Sequence, residues 1–126
     1  MMRKEIGNWI VQAEHDLEVA KYNLNGKYFD AVVFYCQQSV EKGLKAVILH
    51  KKKEKPISHS LIFLGKLAEV PEEFISKLKK LSPQYFLARY PDASEDVPFE
   101  LYDENIAKDF FKISEEVLKW ISGQLK

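Results

Sequence analysis

Apolar positions recur along most of this chain with helical spacing, and no segment alternates convincingly with a period of two. From about Lys4 to Leu24, the residues Ile6, Trp9, Ile10, Ala13, Leu17, Ala20 and Leu24 fall three or four apart and share one helix face. Asn25-Gly26 stops this segment, with Gly26 suited to a left-handed cap. A second helix is predicted from about Phe29 to His50, followed by the charge run Lys51 to Lys55 and by Pro56. A third, from about Ser58 to Glu69, turns Leu61, Leu64 and Leu67 inward. Pro71 opens a fourth in the first-turn position, with Phe74, Ile75, Leu78 and Leu81 as its apolar side, and Pro83 breaks it. QYFLARY holds at most a short turn of helix, and Tyr90 to Tyr102 reads as a long acidic loop. The last helix starts at a capping Asp103 and runs to about Gly123, with Ile106, Phe110, Ile113, Val117, Trp120 and Ile121 buried. The expected fold is all-α: an up-and-down antiparallel four-helix bundle with an additional short helix, one domain over residues 1–126.

The second helix departs from a simple amphipathic pattern. With Gln38 at zero on a helical wheel, Ala31, Phe34, Tyr35, Lys42, Lys45 and Leu49 lie within about 60° of it, and Glu41 at the edge of that arc. Val33, Cys36, Val40, Leu44 and Val47 occupy the opposite side. Two occupied faces imply a second surface: another subunit, a ligand, or both. The plainer alternative is a solvated stripe in which Lys42 and Lys45 snorkel and Glu41 pairs with Lys45 at i,i+4. Asp16, at the margin of the first helix's apolar stripe, needs water or a cation, and the lysines of the second helix are natural partners.

Composition narrows the chemistry. Nineteen basic and nineteen acidic residues give zero formal net charge, so no global field draws the chain to nucleic acid or anionic lipid, and any anion site must be local. One cysteine excludes an internal disulfide and leaves no zinc-ligand pattern, which fits a reducing cytoplasm. No segment resembles a signal peptide or a membrane span, and no metal or cofactor is expected. His59 falls near a helix start, where free backbone N–H groups favour anions. Arg89 stands at the mouth of the acidic loop that carries Asp92, Glu95, Asp96, Glu100, Asp103 and Glu104. Gln38, Lys42, Lys45, His59, Arg89 and Tyr90, supported by Asp16 and Glu41, are the candidate residues for such a local anion site.

Several of these residues fall into an ordered set of motifs. The first helix carries W-x3-A-x2-D-L-x2-A (Trp9, Ala13, Asp16, Leu17, Ala20), followed by Gly26, Tyr28 and Ala31. The second carries F-x2-Q-Q-x2-E-K-x-L-K-A (Phe34, Gln37, Gln38, Glu41, Lys42, Leu44, Lys45, Ala46). His59 with Leu61, and Ala88 to Pro91 as A-R-Y-P, complete the set. Together they resemble the HEPN domain over nearly the whole chain. The resemblance implies a helical bundle that commonly dimerises, and a minimal nucleotidyltransferase partner in a toxin–antitoxin pair. It also implies nucleotide or RNA as ligand. Ribonuclease members carry an Arg followed four to six residues later by a His. Here Ala93, Ser94 and Glu95 stand at those positions, and His15, His50 and His59 all lie upstream. The expected function is thus a nucleotide- or phosphate-binding module with little or no ribonuclease activity. A ribonuclease with a non-standard site and a pure protein-interaction module are the alternatives.

Overall fold

The computed structural model describes residues 3–126. Among these, six α-helices follow one another: α1 (Lys4–Asn25), α2 (Phe29–Lys52), α3 (Leu61–Leu67), α4 (Glu72–Leu81), α5 (Gln84–Leu87) and α6 (Glu104–Gln124). The described residues contain no strand. Contacts fix the helix directions. Arg3 Nη2 reaches the Leu49 carbonyl at 3.4 Å and Ser39 Oγ donates to the Ala13 carbonyl at 2.7 Å, so α1 and α2 are antiparallel. Cys36 meets Ser114 and, two turns on, Gly43 faces Leu118 and Ile121, so α6 runs parallel to α2. Leu61 N donates to Ser82 Oγ and Gly65 faces Leu78, which makes α3 and α4 an antiparallel pair. α3 runs along α2, with His59 before its start at Glu41 and Ala68 at its end accepting from Lys51, so the long members α1, α2, α4 and α6 alternate up and down and α3 and the one-turn α5 are the extra short helices.

α2 is the central helix. Fourteen of its 24 residues are buried, including Gln37, Ser39, Glu41 and Lys45, so it is enclosed on nearly all sides. Its apolar side meets α1 and α6, and Gly43 lies tight against α6. A Cβ there would stand 2.7 Å from Ile121 Cδ1 and 3.0 Å from Leu118 Cδ1. Gly43→Val is therefore expected to overpack this crossing and cost about 1–3 kcal/mol, more than its gain in helix propensity returns. Urea denaturation checks it; an unchanged midpoint would show that α6 shifts freely.

Four local expectations need correction. Gly26 does not adopt a left-handed conformation (φ −81°); Lys27 takes the positive φ of 63° one residue later. α2 runs two residues beyond His50, to Lys52, and ends where Lys53 turns left-handed at φ 67°. α3 begins at Leu61 and not at Ser58, because Ser60 caps it, its hydroxyl accepting from Phe63 N. Pro71 is the cap residue of α4, with extended ψ of 144°, and not its first helical residue. The acidic segment holds two short 3-10 turns, Pro91–Ala93 and Pro98–Leu101, each opened by its proline. Asp103 caps α6 as expected, accepting from Ile106 N at 2.8 Å.

Residues 54–60 explain the doubly occupied face of α2. After Lys53 the chain turns back along the helix it has just left. Lys55 settles over Trp9 at 4.8 Å, and His59 reaches Glu41. The surface that covers the polar stripe is the chain's own connection. Leu49, on the stripe that implied a second surface, is only 3% exposed, and Phe34 and Tyr35 are partly buried.

Candidate functional site

Glu41 is the hub of a polar cluster beneath this connection. Its carboxylate is buried and accepts from Lys45 Nζ at 3.0 Å and from Gln37 Nε2 at 3.2 Å. His59 Nδ1 stands 3.1 Å from both carboxylate oxygens. Gln37 also donates to the His59 carbonyl, and Gln38 donates to Gln37 Oε1 at 2.8 Å. Helical spacing makes this possible: 37, 41 and 45 stack on one edge of α2, one turn apart. One residue further round the helix, Lys42 makes a second, part-buried pair. Lys42 Nζ is 2.5 Å from Asp16 Oδ2, and Gln12 donates to the other Asp16 oxygen at 3.0 Å. Lys45 also lies over Trp9 at 5.7 Å.

The two lysines expected to line an anion pocket thus each hold a carboxylate already. At the start of α3 two of the first backbone donors are likewise taken, Leu61 N by Ser82 Oγ and Phe63 N by Ser60 Oγ. The fold brings Gln38, Glu41, Lys45 and His59 together, and Asp16 with Lys42, but as a neutralised internal network.

The open part of the site lies on its rim. The His59 side chain is 47% exposed and packs against Tyr85, ring centroids 3.9 Å apart. Tyr85 meets Phe34 edge-on at 6.5 Å, and the Arg89 guanidinium covers Phe34 at 4.3 Å. His59 and Arg89 therefore flank one aromatic pair. Tyr85, Phe86 and Tyr90 continue the aromatic face, with Phe86 and Tyr90 exposed. Among the described residues Arg89 makes no ion pair, so its fork is available for phosphate or carboxylate. Tyr85 and Phe86 belong to the site although no sequence motif includes them, and Gln37, present in the second-helix motif, joins it beneath His59. The density of aromatics in QYFLARY is the available signal.

Other titratable groups are structural. Burial pushes the Cys36 thiol up to about 12, so it behaves as a packing group. Burial likewise raises the Tyr102 hydroxyl to about 12, and it donates to Gln84. No helix among the described residues is long and apolar enough to cross a membrane.

A helical bundle with α2 sealed around a Gln-Glu-Lys edge and an Arg-Tyr-Pro turn beside it defines a class, and comparison with known proteins gives the same one. The HEPN domain matches residues 6–124, and the chain belongs to the HEPN family. It is 30% identical to the candidate toxin MJ1304 of Methanocaldococcus jannaschii, over 94% of this chain and 86% of the relative. ST0689, a solved archaeal HEPN homologue, superposes with a TM-score of 0.82 at 34% identity, covering 96% of this chain and 98% of that one. TT1696 from Thermus thermophilus superposes with a TM-score of 0.88 at 26% identity, covering 97% and 99%.

Proposed function

We propose that this HEPN chain is a binding module for a phosphate-bearing nucleotide ligand and the toxin-like member of a pair with a minimal nucleotidyltransferase. The observation that carries the reading is the exposed Arg89 guanidinium, without a carboxylate partner among the described residues, on the same aromatic pair as His59. Arg89 would take phosphate, and Tyr90 or Phe86 would stack on a base. His59, held by Glu41, would add a donor and, when protonated, a charge. Lys42, Lys45 and Gln38 move from ligand contacts to the support beneath. The name of the M. jannaschii relative supports the toxin half of the reading.

The test is calorimetric titration with nucleoside mono-, di- and triphosphates. Arg89→Ala is expected to weaken binding about tenfold or more, since a charge-assisted contact is worth roughly 1.5–3 kcal/mol. If the wild type binds no phosphate compound at millimolar concentration, the reading fails. Co-purification from the native source tests the nucleotidyltransferase partner, and sedimentation tests the proposed homodimer. That dimer rests on the family resemblance, because α2's second face is filled by its own chain.

One observation favours ribonuclease as a second reading. His59 Nδ1 faces a buried carboxylate, which leaves Nε2 as the outward nitrogen, an arrangement suited to general acid–base work. Cleavage of single-stranded RNA that is lost in both His59→Ala and Arg89→Ala would establish it. Intact RNA after prolonged incubation leaves the binding module.

A further inference from the structure

The connection over α2 covers buried charges, yet it is itself lightly held. Beneath it Gln37, Glu41 and Lys45 are all but sealed from water. Residues 54–59 make no backbone–backbone hydrogen bond among the described residues. Ile57, the one large apolar side chain of the segment, is 97% exposed and adds no packing. What keeps the segment down is a set of side-chain contacts. Gln37 Nε2 donates to the His59 carbonyl at 3.3 Å, His59 Nδ1 meets Glu41 at 3.1 Å, and Lys55 lies over Trp9 at 4.8 Å. The hinge is strained as well. Lys53 holds φ at 67°, a region that residues with a Cβ enter at a cost, and opening releases that cost. Pro56 fixes its own φ and stiffens the segment between hinge and His59. A stretch with few apolar contacts and no backbone hydrogen bonds lies at the low-stability end of a fold, where opening needs no global unfolding.

His59 ties this segment to the rim. Its Nδ1 faces Glu41, and its ring stands 3.9 Å from the ring of Tyr85. Tyr85 in turn meets Phe34, which carries the Arg89 guanidinium. With the connection closed, His59 and Arg89 flank one aromatic pair. With it open, His59 departs and Arg89 remains beyond α5. A ligand held by both groups binds the closed form more tightly, and by linkage it must then favour closure. Resting on the nucleotide-binding reading above, we propose that residues 54–60 form a strap that opens on the Lys53 hinge while the bundle stays folded. Ligand on the Arg89 rim holds the strap shut through His59.

Limited trypsin digestion of the full chain tests this, with the cuts mapped by mass spectrometry. The bonds after Lys52 and Lys53 report strap opening, because a protease needs an extended chain. The bond after Lys45, in the buried part of α2, reports global unfolding. Strap bonds are expected to be cut about tenfold faster or more than the Lys45 bond. Lys55→Ala removes the Trp9 contact and should speed strap cutting about two- to fivefold with an unchanged melt. Adenosine triphosphate at about ten times its Kd should slow strap cutting about fivefold, since one charge-assisted contact makes the closed form bind about tenfold tighter. In His59→Ala the strap should be cut faster, and the nucleotide, raised to match that variant's own Kd, should no longer slow it. Equal cutting of the strap and Lys45 bonds would overturn the strap. Nucleotide that binds without slowing the strap, or that still slows it in His59→Ala, would overturn the coupling and leave the binding reading standing. If the nucleotide does not bind at millimolar concentration, coupling and binding reading fall together, and Lys55→Ala still decides whether the strap opens alone.

Discussion

Glu41→Leu is expected to destabilise the fold by about 3–5 kcal/mol, with a fall in Tm of roughly 10–20 °C for a domain of this size. The substitution leaves the Lys45 ammonium, whose side chain is 8% exposed, without its carboxylate. It also strips Gln37 and His59 of their acceptor and loosens the connection over α2. Coulombic attraction between Glu41 and Lys45 is not the main quantity lost. Burying two charges costs nearly as much as their pairing returns, whereas burying one alone has no compensation. The double variant Glu41→Leu, Lys45→Met should therefore recover most of the loss. Urea denaturation of wild type and both variants decides the matter: equal losses in the single and double variants would show that the carboxylate acts through His59 and the connection, and not through Lys45.

The helices are legible in the sequence because their apolar spacing is regular. α6 shows both sides: the capping Asp103 marks its start, and Val117 and Ile121 are buried as expected, but Phe110, Ile113 and Trp120 are only partly buried, Ile106 is exposed, and Ala107, Ser114 and Leu118 fill the rest of the buried side. α1 is plainer. Turns are less legible. Gly26 looks like the left-handed residue, yet Lys27 adopts that conformation, because the cap that forms is set by how α1 and α2 must meet and not by the local glycine alone. The inward leucines place the start of α3 three residues too early, since they do not reveal that Ser60 is its cap.

The polar stripe on α2 is visible in the sequence as an anomaly, and its cause is not. A helical wheel records which residues share a face. It does not record that residues 54–60 fold back over that face. Glu41–Lys45 and Asp16–Lys42 follow as pairs from spacing and from the cost of a buried carboxylate, and both occur. That His59 meets Glu41, 18 positions away, follows only from the reversal at Lys53. Arg89 on Phe34 is likewise a long-range contact that periodicity does not encode.

Lys42→Ala is expected to separate the stripe's structural role from ligand binding. Asp16 is 3% exposed, and without Lys42 its remaining side-chain donor is the neutral amide of Gln12. One amide does not offset the burial of a carboxylate, so the loss should be about 3 kcal/mol or more. Adding Asp16→Asn removes the stranded charge and should restore much of that stability. Affinity for a nucleoside phosphate, measured well below the lowered Tm, should change less than about threefold, because one lost ligand contact would appear as tenfold or more. Arg89→Ala should give the reverse: an almost unchanged melt, since its guanidinium is exposed, and the tenfold loss of binding. If Lys42→Ala weakens binding as much as Arg89→Ala while Asp16→Asn rescues only the stability, then Lys42 leaves Asp16 to contact the ligand. The anion site would in that case extend from the Arg89 rim to the α1–α2 edge.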